Sequence, residues 1–271
     1  MEEVYRLDAG GEARYTEIET EGGLKMRGFI HIPKGAGPDS RVPMVLVLHG
    51  LMGNRIGSGK SNVEFSKILC EHGIASARFD YIGSGESDGD FIEMSILTEL
   101  SDSEYILKYV QGLDFVDKDR IAVHGMSQGG LEAGLLAGTH PDEVACLSLW
   151  SPAFCIGDES FFETVSGYDK EKLFRDGYID SDSWLIGKKY FDDAVATDSY
   201  EIAGRYKGSV QIVHGTADTV VPIRYSEKLK EVYGDRCSLI TVEGANHDYE
   251  RHDYNRTRLK LALEFLEKEL F

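Results

Sequence analysis

Positive charge is in short supply in this 271-residue chain: 29 lysines and arginines stand against 47 aspartates and glutamates, a net charge of −18. That shortage argues against nucleic acid as a partner, because such binding rests on Lys and Arg neutralising phosphates. Anionic membrane surfaces and acidic polymers are disfavoured on the same ground, and the excess carboxylates read as a solubilising surface. Long apolar runs are missing as well. None approaches the roughly 20 residues of a membrane span, and the opening MEEVYRLDAG has neither the basic nor the apolar stretch of a secretory signal. The expectation is a cytoplasmic protein without membrane insertion. Cysteine is sparse: Cys70, Cys146, Cys155 and Cys237 are scattered, with no Cys-x-x-Cys and no metal-like Cys/His cluster. Cys70, Cys146 and Cys237 lie in apolar segments and read as small core residues. Internal repeats and low-complexity stretches are absent.

What is present is an alternation of strand and helix patterns. ARYTEIET and LKMRGFIHIP, separated by Gly22 and Gly23, read as an N-terminal hairpin. Val42 to Leu48 is continuously apolar, as a strand buried on both faces of a parallel sheet must be. Similar runs recur at Ile74 to Phe79, Ile121 to Val123, Val144 to Leu149, Val210 to Val213 and Ser238 to Val242. Helical spacing lies between them, at Phe65/Ile68/Leu69, Ile106/Leu107/Tyr109/Val110, Leu131/Leu135/Leu136, Tyr225/Leu229/Val232 and Leu259/Ala262/Leu263/Leu266. The pattern predicts an α/β fold: a mostly parallel twisted sheet of about eight strands, flanked by helices, with an antiparallel N-terminal edge. Residues 152–206 break the rhythm. No clean strand is visible there, yet the segment holds 11 of the chain's 28 aromatic residues. A structureless loop of that length is uncommon, so it reads as an inserted subdomain at the carboxyl edge of the sheet, where ligands bind.

The stretch VHGMSQGG places Ser127 between Gly125 and Gly129, after a strand and before a small-residue helix. Gly-x-Ser-x-Gly in that context describes a sharp turn that raises the hydroxyl above the sheet. Alone it is a weak signal. Serine needs a base, and the base an orienting carboxylate. VQIVHGTADTVVP ends a strand and offers Asp218, four residues before Pro222; LITVEGANHDY ends the last strand and offers His247. Each has a bland reading, Asp218 as a turn residue and His247 as a solvated loop histidine. Together, each after a strand and in the order Ser, Asp, His, they point to a nucleophile, an orienting acid and a general base. Asp235 and Asp248 lack the strand-end context, and His252 lies in or beside the last helix. His49, His124 and His214 end strands before glycines and read as structural or site-wall residues. Acyl transfer also needs two donors for an oxyanion. The backbone N–H of Gln128 supplies one, and that of Leu51 in HGLMGN the other, with Gly50 and Gly53 allowing close approach. RFDYIGSGESDGDF is too acidic to cradle phosphate and reads as a structural loop.

With these residues in place, the chain resembles serine esterases of the α/β-hydrolase superfamily. HGLMGN, RFDYIGSGESDG, GMSQGG, HGTADTVVP and EGANHDY fall in that family's order over nearly the whole length. Within it, the chain is most similar to bacterial cinnamoyl (feruloyl) esterases. The resemblance implies one α/β-hydrolase domain over 1–271 with 152–206 as an inserted cap, and hydrolysis of hydroxycinnamate esters through an acyl-enzyme. By position in the cap, Asp158 and Tyr190 match residues that hold a phenolic hydroxyl, and Trp184 is a further candidate wall. Asp158 as a helix cap, and Tyr190 and Trp184 as filling for the cap's own core, are the competing readings. Phe161, Phe162 and Val165 depart from the family's more polar character there.

The expected partner is a small-molecule ester, with no metal and no organic cofactor; a homodimer is compatible with the sequence. A short- or medium-chain carboxylesterase or monoacylglycerol lipase is the nearest alternative. A non-catalytic, hydrolase-like small-molecule receptor is the alternative from another class. An aminopeptidase is disfavoured for want of a domain to grip a peptide terminus, and a dehalogenase because it needs an aspartate at position 127.

Overall fold

The apolar run Val42–Leu48 shows how the core is divided. Met44, Leu46 and Leu48 belong to one buried cluster and Val45 and Val47 to another, none more than 3% exposed. Successive side chains of a strand point to opposite faces, so a strand is apolar at every position only when both faces are covered. In the computed structural model, which describes residues 4–6, 11–165 and 167–271, this strand lies inside a nine-stranded sheet.

In chain order the first half contains β1 (Val4–Arg6), β2 (Glu12–Glu19), β3 (Lys25–Ile32), β4 (Val42–Leu48), α1 (Ser61–Glu71), β5 (Ala75–Phe79), α2 (Ile96–Gln111) and β6 (Val116–Met126). Then come α3 (Gln128–Thr139), β7 (Cys146–Trp150), α4 (Glu159–Phe162), α5 (Lys170–Asp176), β8 (Tyr178–Ser181) and β9 (Trp184–Gly187). The chain closes with α6 (Lys188–Ala196), α7 (Ser199–Ala203), β10 (Ser209–Gly215), α8 (Arg224–Tyr233), β11 (Cys237–Val242) and α9 (His252–Leu270). Strand order is β1-β2-β3-β5-β4-β6-β7-β10-β11, antiparallel from β1 to β5 and parallel thereafter. The α/β class expected from the sequence is what the structure has. It differs by one strand, β1, whose three residues are too few to show an alternation.

Phe65 of α1 and Leu259 and Leu266 of α9 pack on one face; Ile106 of α2, Leu135 of α3 and Leu229 of α8 pack on the other. α1 carries the chain outward from β4 to β5, and α2 carries it back past β4 to β6. The winding therefore reverses between β4 and β6. Ligands of open α/β sheets bind at the strands' carboxyl ends at such a reversal.

Residues 152–206 leave from the carboxyl end of β7. They contain α4, α5, the β8–β9 hairpin, α6 and α7, so strands exist where the sequence pattern offered none. The hairpin turns at Asp182 and Ser183, both in the left-handed region (φ 50° and 72°). Phe162, Tyr168 and Phe191 stack with ring centroids 5.0–6.0 Å apart and anchor this segment. All four cysteines are buried free thiols. Among the described residues no helix is long and apolar enough to cross a membrane.

Candidate active site

Between the end of β6 and the start of α3, Ser127 sits at φ 57°, ψ −124°. That conformation is strained for a residue with a Cβ and persists only where the surroundings over-determine it. Here they do. The Ser127 N–H donates to the Trp150 carbonyl (2.9 Å), and the Ser127 carbonyl accepts from the amides of Gly130, Leu131 and Ala153 (2.9, 3.2 and 2.9 Å). Helix and strand meet so closely that a Cβ at Gly129 would lie 2.3 Å from the Leu48 carbonyl oxygen. Glycine there is a packing requirement.

The loop after β10 carries Asp218 and the loop after β11 carries His247. Asp218 Oδ1 accepts from the amides of Val220 and Val221 (2.9 and 2.8 Å). Its Oδ2 lies 2.8 Å from His247 Nδ1 and 3.3 Å from His214 Nε2. Burial would raise the Asp218 carboxyl, but the hydrogen bonds from His214 and His247 prevail and hold it well below the usual carboxylate range. Asp218 is thus ionised and fixed, with one oxygen committed to the His247 ring. That arrangement leaves Nε2 of His247 as the ring's free acceptor. Ser127 and His247 border the same cavity. The Ser127 hydroxyl has no hydrogen bond to His247 here, and contacts of this kind often tighten only in a complex.

The loop after β4 approaches from the opposite side. His49 is buried; its Nδ1 pairs with the Gly50 carbonyl (2.9 Å) and its Nε2 accepts from the Tyr81 amide (3.3 Å). Desolvation lowers its pKa, so the ring is neutral and pins the loop by its Nδ1–H. A Cβ at Gly50 would sit 3.2 Å from Ser127 Cβ and 3.7 Å from Ser127 Oγ, so the backbone of this loop runs against the serine. Gln128 opens α3, and the first amides of a helix have no intrahelical acceptor. Leu51 and Gln128 both line the cavity, beside Ser127.

The cavity measures about 690 Å³, within the usual range for small-molecule sites. Ile156, Phe161, Phe162, Val165 and Ile186 form an apolar wall contributed by the 152–206 segment. Ser61 and Asn62 border it on the α1 side, and Asp182 and Asp248 are the only carboxylates among its described lining groups. No lysine or arginine is among them. Of the three cap residues singled out from sequence, Tyr190 lines the cavity, whereas Asp158 and Trp184 do not. Asp158 caps α4, accepting from the Ser160 amide (3.0 Å), and its other oxygen accepts from Tyr225 Oη (2.9 Å). Trp184 packs on Phe91, ring centroids 4.5 Å apart. Among the described residues, no group of three or more His, Cys, Asp or Glu is arranged to hold a metal ion.

Two features escaped the sequence reading. His214 was expected to be a structural or site-wall residue; its Nε2 lies 2.9 Å from the Val221 carbonyl and 3.3 Å from Asp218 Oδ2, which sets it against the carboxylate as a support. Glu99 lies buried behind the nucleophile turn and accepts from Gln128 Nε2 (2.6 Å), while Gln128 Oε1 accepts from Tyr190 Oη (2.9 Å). Its signal was its place in α2, on the stripe of Ile96, Ser103 and Ile106, where a solvated glutamate does not belong.

Comparison with known proteins follows this geometry. The profile of the prolyl oligopeptidase family (Peptidase S9) matches residues 64–270. The uncharacterized protein YfhR of Salmonella typhi is 27% identical over 241 residues, covering 87% of this chain and 75% of that protein. Lysophosphatidylserine lipase ABHD12 of Danio rerio is 27% identical over 208 residues, 73% of this chain and 49% of that one. Among solved structures, Est1E from Butyrivibrio proteoclasticus with ferulic acid bound superposes with a TM-score of 0.83 at 27% identity, covering 94% of this chain and 98% of that one.

Proposed function

Since the chain belongs to the prolyl oligopeptidase family and is a serine hydrolase of the α/β-hydrolase fold, we propose that it hydrolyses carboxylic esters, with Ser127 as nucleophile, His247 as base and Asp218 as orienting acid. His247 takes the Ser127 proton as the hydroxyl attacks the ester carbonyl. The oxyanion is received by the N–H groups of Leu51 and Gln128, worth about 2.7–4 kcal/mol per donor. His247 then protonates the departing alcohol, the acyl-enzyme forms, and water activated by the same ring releases the acid. Asp218 holds the ring in the tautomer that leaves Nε2 free, and its ionised state stabilises the imidazolium. The steps need no metal or organic cofactor.

The observation that carries this reading is that Ser127, His247, Leu51 and Gln128 line one cavity walled by apolar side chains. We read residues 152–206 as the lid over the acyl group. Its wall of Phe161, Phe162, Ile156 and Val165, and the likeness to a protein solved with ferulic acid, favour a flat aromatic acyl group of the hydroxycinnamate type. The aliphatic share of the wall, with Ile186, Val220 and Val221, supports a second reading: an esterase or lipase for short- or medium-chain acyl groups. Comparing kcat/KM on methyl ferulate and ethyl butyrate, with Ser127→Ala as blank, tests both. A ferulate preference that vanishes in the variant supports the first reading, and a butyrate preference the second. Activity that survives Ser127→Ala overturns the mechanism.

A further inference from the structure

The lid helix α6 meets the nucleophile turn through a chain of buried polar groups that the mechanism above leaves unused. Tyr190 Oη donates to Gln128 Oε1 (2.9 Å); Gln128 Nε2 donates to Glu99 Oε2 (2.6 Å) and approaches Met94 Sδ (3.7 Å). Tyr190, Gln128 and Glu99 are at most 3% exposed. Both ends of the Gln128 amide are therefore held, in the residue whose backbone N–H receives the oxyanion. We propose that Glu99 is a positioning residue for the reaction, fixing Gln128 and thereby the oxyanion amide and the Tyr190 end of the lid. The proposal rests on the ester-hydrolase reading.

The chemistry runs in one direction. With Nε2 donating to Glu99, Gln128 turns its oxygen toward Tyr190, whose hydroxyl donates to it. An apolar side chain at position 99 would leave a buried amide N–H without its acceptor, a penalty that favours rotation of the side chain out of place. Gln128 is the first residue of α3, where few intrahelical bonds resist such a shift.

The groups facing Glu99 are Asp102 from its own helix, Glu132 from α3, Tyr81 from the segment after β5 and Tyr190 from α6. None of the three carboxyl groups has a basic partner among the described residues. Burial raises Glu99, opposed by the Gln128 bond and aided by Asp102, to about 8. Below that pH Glu99 is a neutral acceptor. Above it, a negative charge sits behind the amide that must receive an oxyanion.

The test measures kcat and KM from about pH 6 to about pH 9.5, together with the rate at which a fluorophosphonate labels Ser127. Glu99→Leu is expected to lower kcat by about 10–100-fold at nearly unchanged KM, the scale of loss from a displacement on the order of 1 Å. The wild type is expected to lose kcat as pH rises past about 8; Glu99→Gln keeps an accepting oxygen and cannot ionise, and is expected to hold kcat within about threefold at neutral pH and to lack that alkaline fall. Wild-type kcat in Glu99→Leu, or an alkaline fall that persists in Glu99→Gln, overturns the proposal. Should Glu99→Leu not fold, the Glu99→Gln profile decides. Ser127 labelling without turnover of any ester would fail the ester reading instead, and the ratio of labelling rates between wild type and Glu99→Leu would still test positioning, equal rates overturning it.

Discussion

Glu132 lies on α3 one turn beyond Gln128, fully buried, and neither of its carboxyl oxygens has a hydrogen-bond partner. Burial, then the nearby Glu99 and Asp102, raise its pKa well above the ordinary 4.5. That direction favours proton uptake on folding. If Glu132 is protonated in the native state at pH 7, the 2.5 units between 4.5 and that pH cost about 3 kcal/mol at 1.36 kcal/mol per unit. The unpaired polar atoms add about 1–3 kcal/mol. Glu132→Met keeps the unbranched shape and removes both costs. The expected gain at pH 7 is about 4 kcal/mol, or a rise in Tm on the order of 10 °C for a domain of this size. The sign of the pH dependence follows from linkage: a carboxyl raised on folding lowers stability as pH climbs above its unfolded value, until the folded form also ionises. The advantage of Glu132→Met should then be small, about 1–3 kcal/mol, near pH 5 and grow toward pH 8. Urea unfolding followed by circular dichroism at several pH values measures it. A variant less stable than wild type at pH 7, or a gap independent of pH, would refute the reasoning, because it would mean that the carboxyl is ionised or well partnered in the folded protein.

Other consequences are simpler. Asp218→Asn should lower kcat by about 10⁴-fold by leaving His247 in the wrong tautomer, measured on any ester that the wild type turns over. Because folding depresses the Asp218 carboxyl, the stability it contributes should be present above the ordinary carboxylate range and fade only in strong acid. His214→Phe removes one of the bonds to that carboxylate and should cost about 1.5–3 kcal/mol of stability, with a smaller loss of kcat than Asp218→Asn; equal losses of kcat would contradict its supporting role. Gly129→Ala drives a Cβ into the Leu48 carbonyl and should fail in thermal melts. Gly50→Ala, whose Cβ meets Ser127 at 3.2 Å, should melt near wild type yet lose about tenfold or more in kcat.

How much of this was legible depended on where the information lay. Val42–Leu48 announced itself because a strand covered on both faces is apolar at every position. The candidate site was legible through chain order: Ser127, Asp218 and His247 each follow a strand, and the sheet brings the three loops to one edge. The β8–β9 hairpin was not, since its turn is built from Asp182 and Ser183 rather than the Asn-Gly or Gly-Gly pairs that usually mark positive φ. Asp158 was assigned by position in a family pattern and Trp184 as a further wall, and local demands claimed both, a helix N-terminus and a partner ring. Glu99 and Glu132 look on paper like exposed helix residues. Their charge outweighs the one cue available, the place of Glu99 on the buried stripe of α2, and the packing of α2 on α3 that buries both is a tertiary fact.

Ser127 holds its strained backbone angle whether or not a substrate is ever met. Such a conformation costs on the order of 1–3 kcal/mol, and glycine at the same position would release most of it. The hydroxyl is thus kept in place against a standing thermodynamic bias. A lineage relieved of the chemistry would gain robustness by losing it, so drift at this one position, with the rest of the turn intact, is the mark by which a retired copy of this scaffold could be told from a working one.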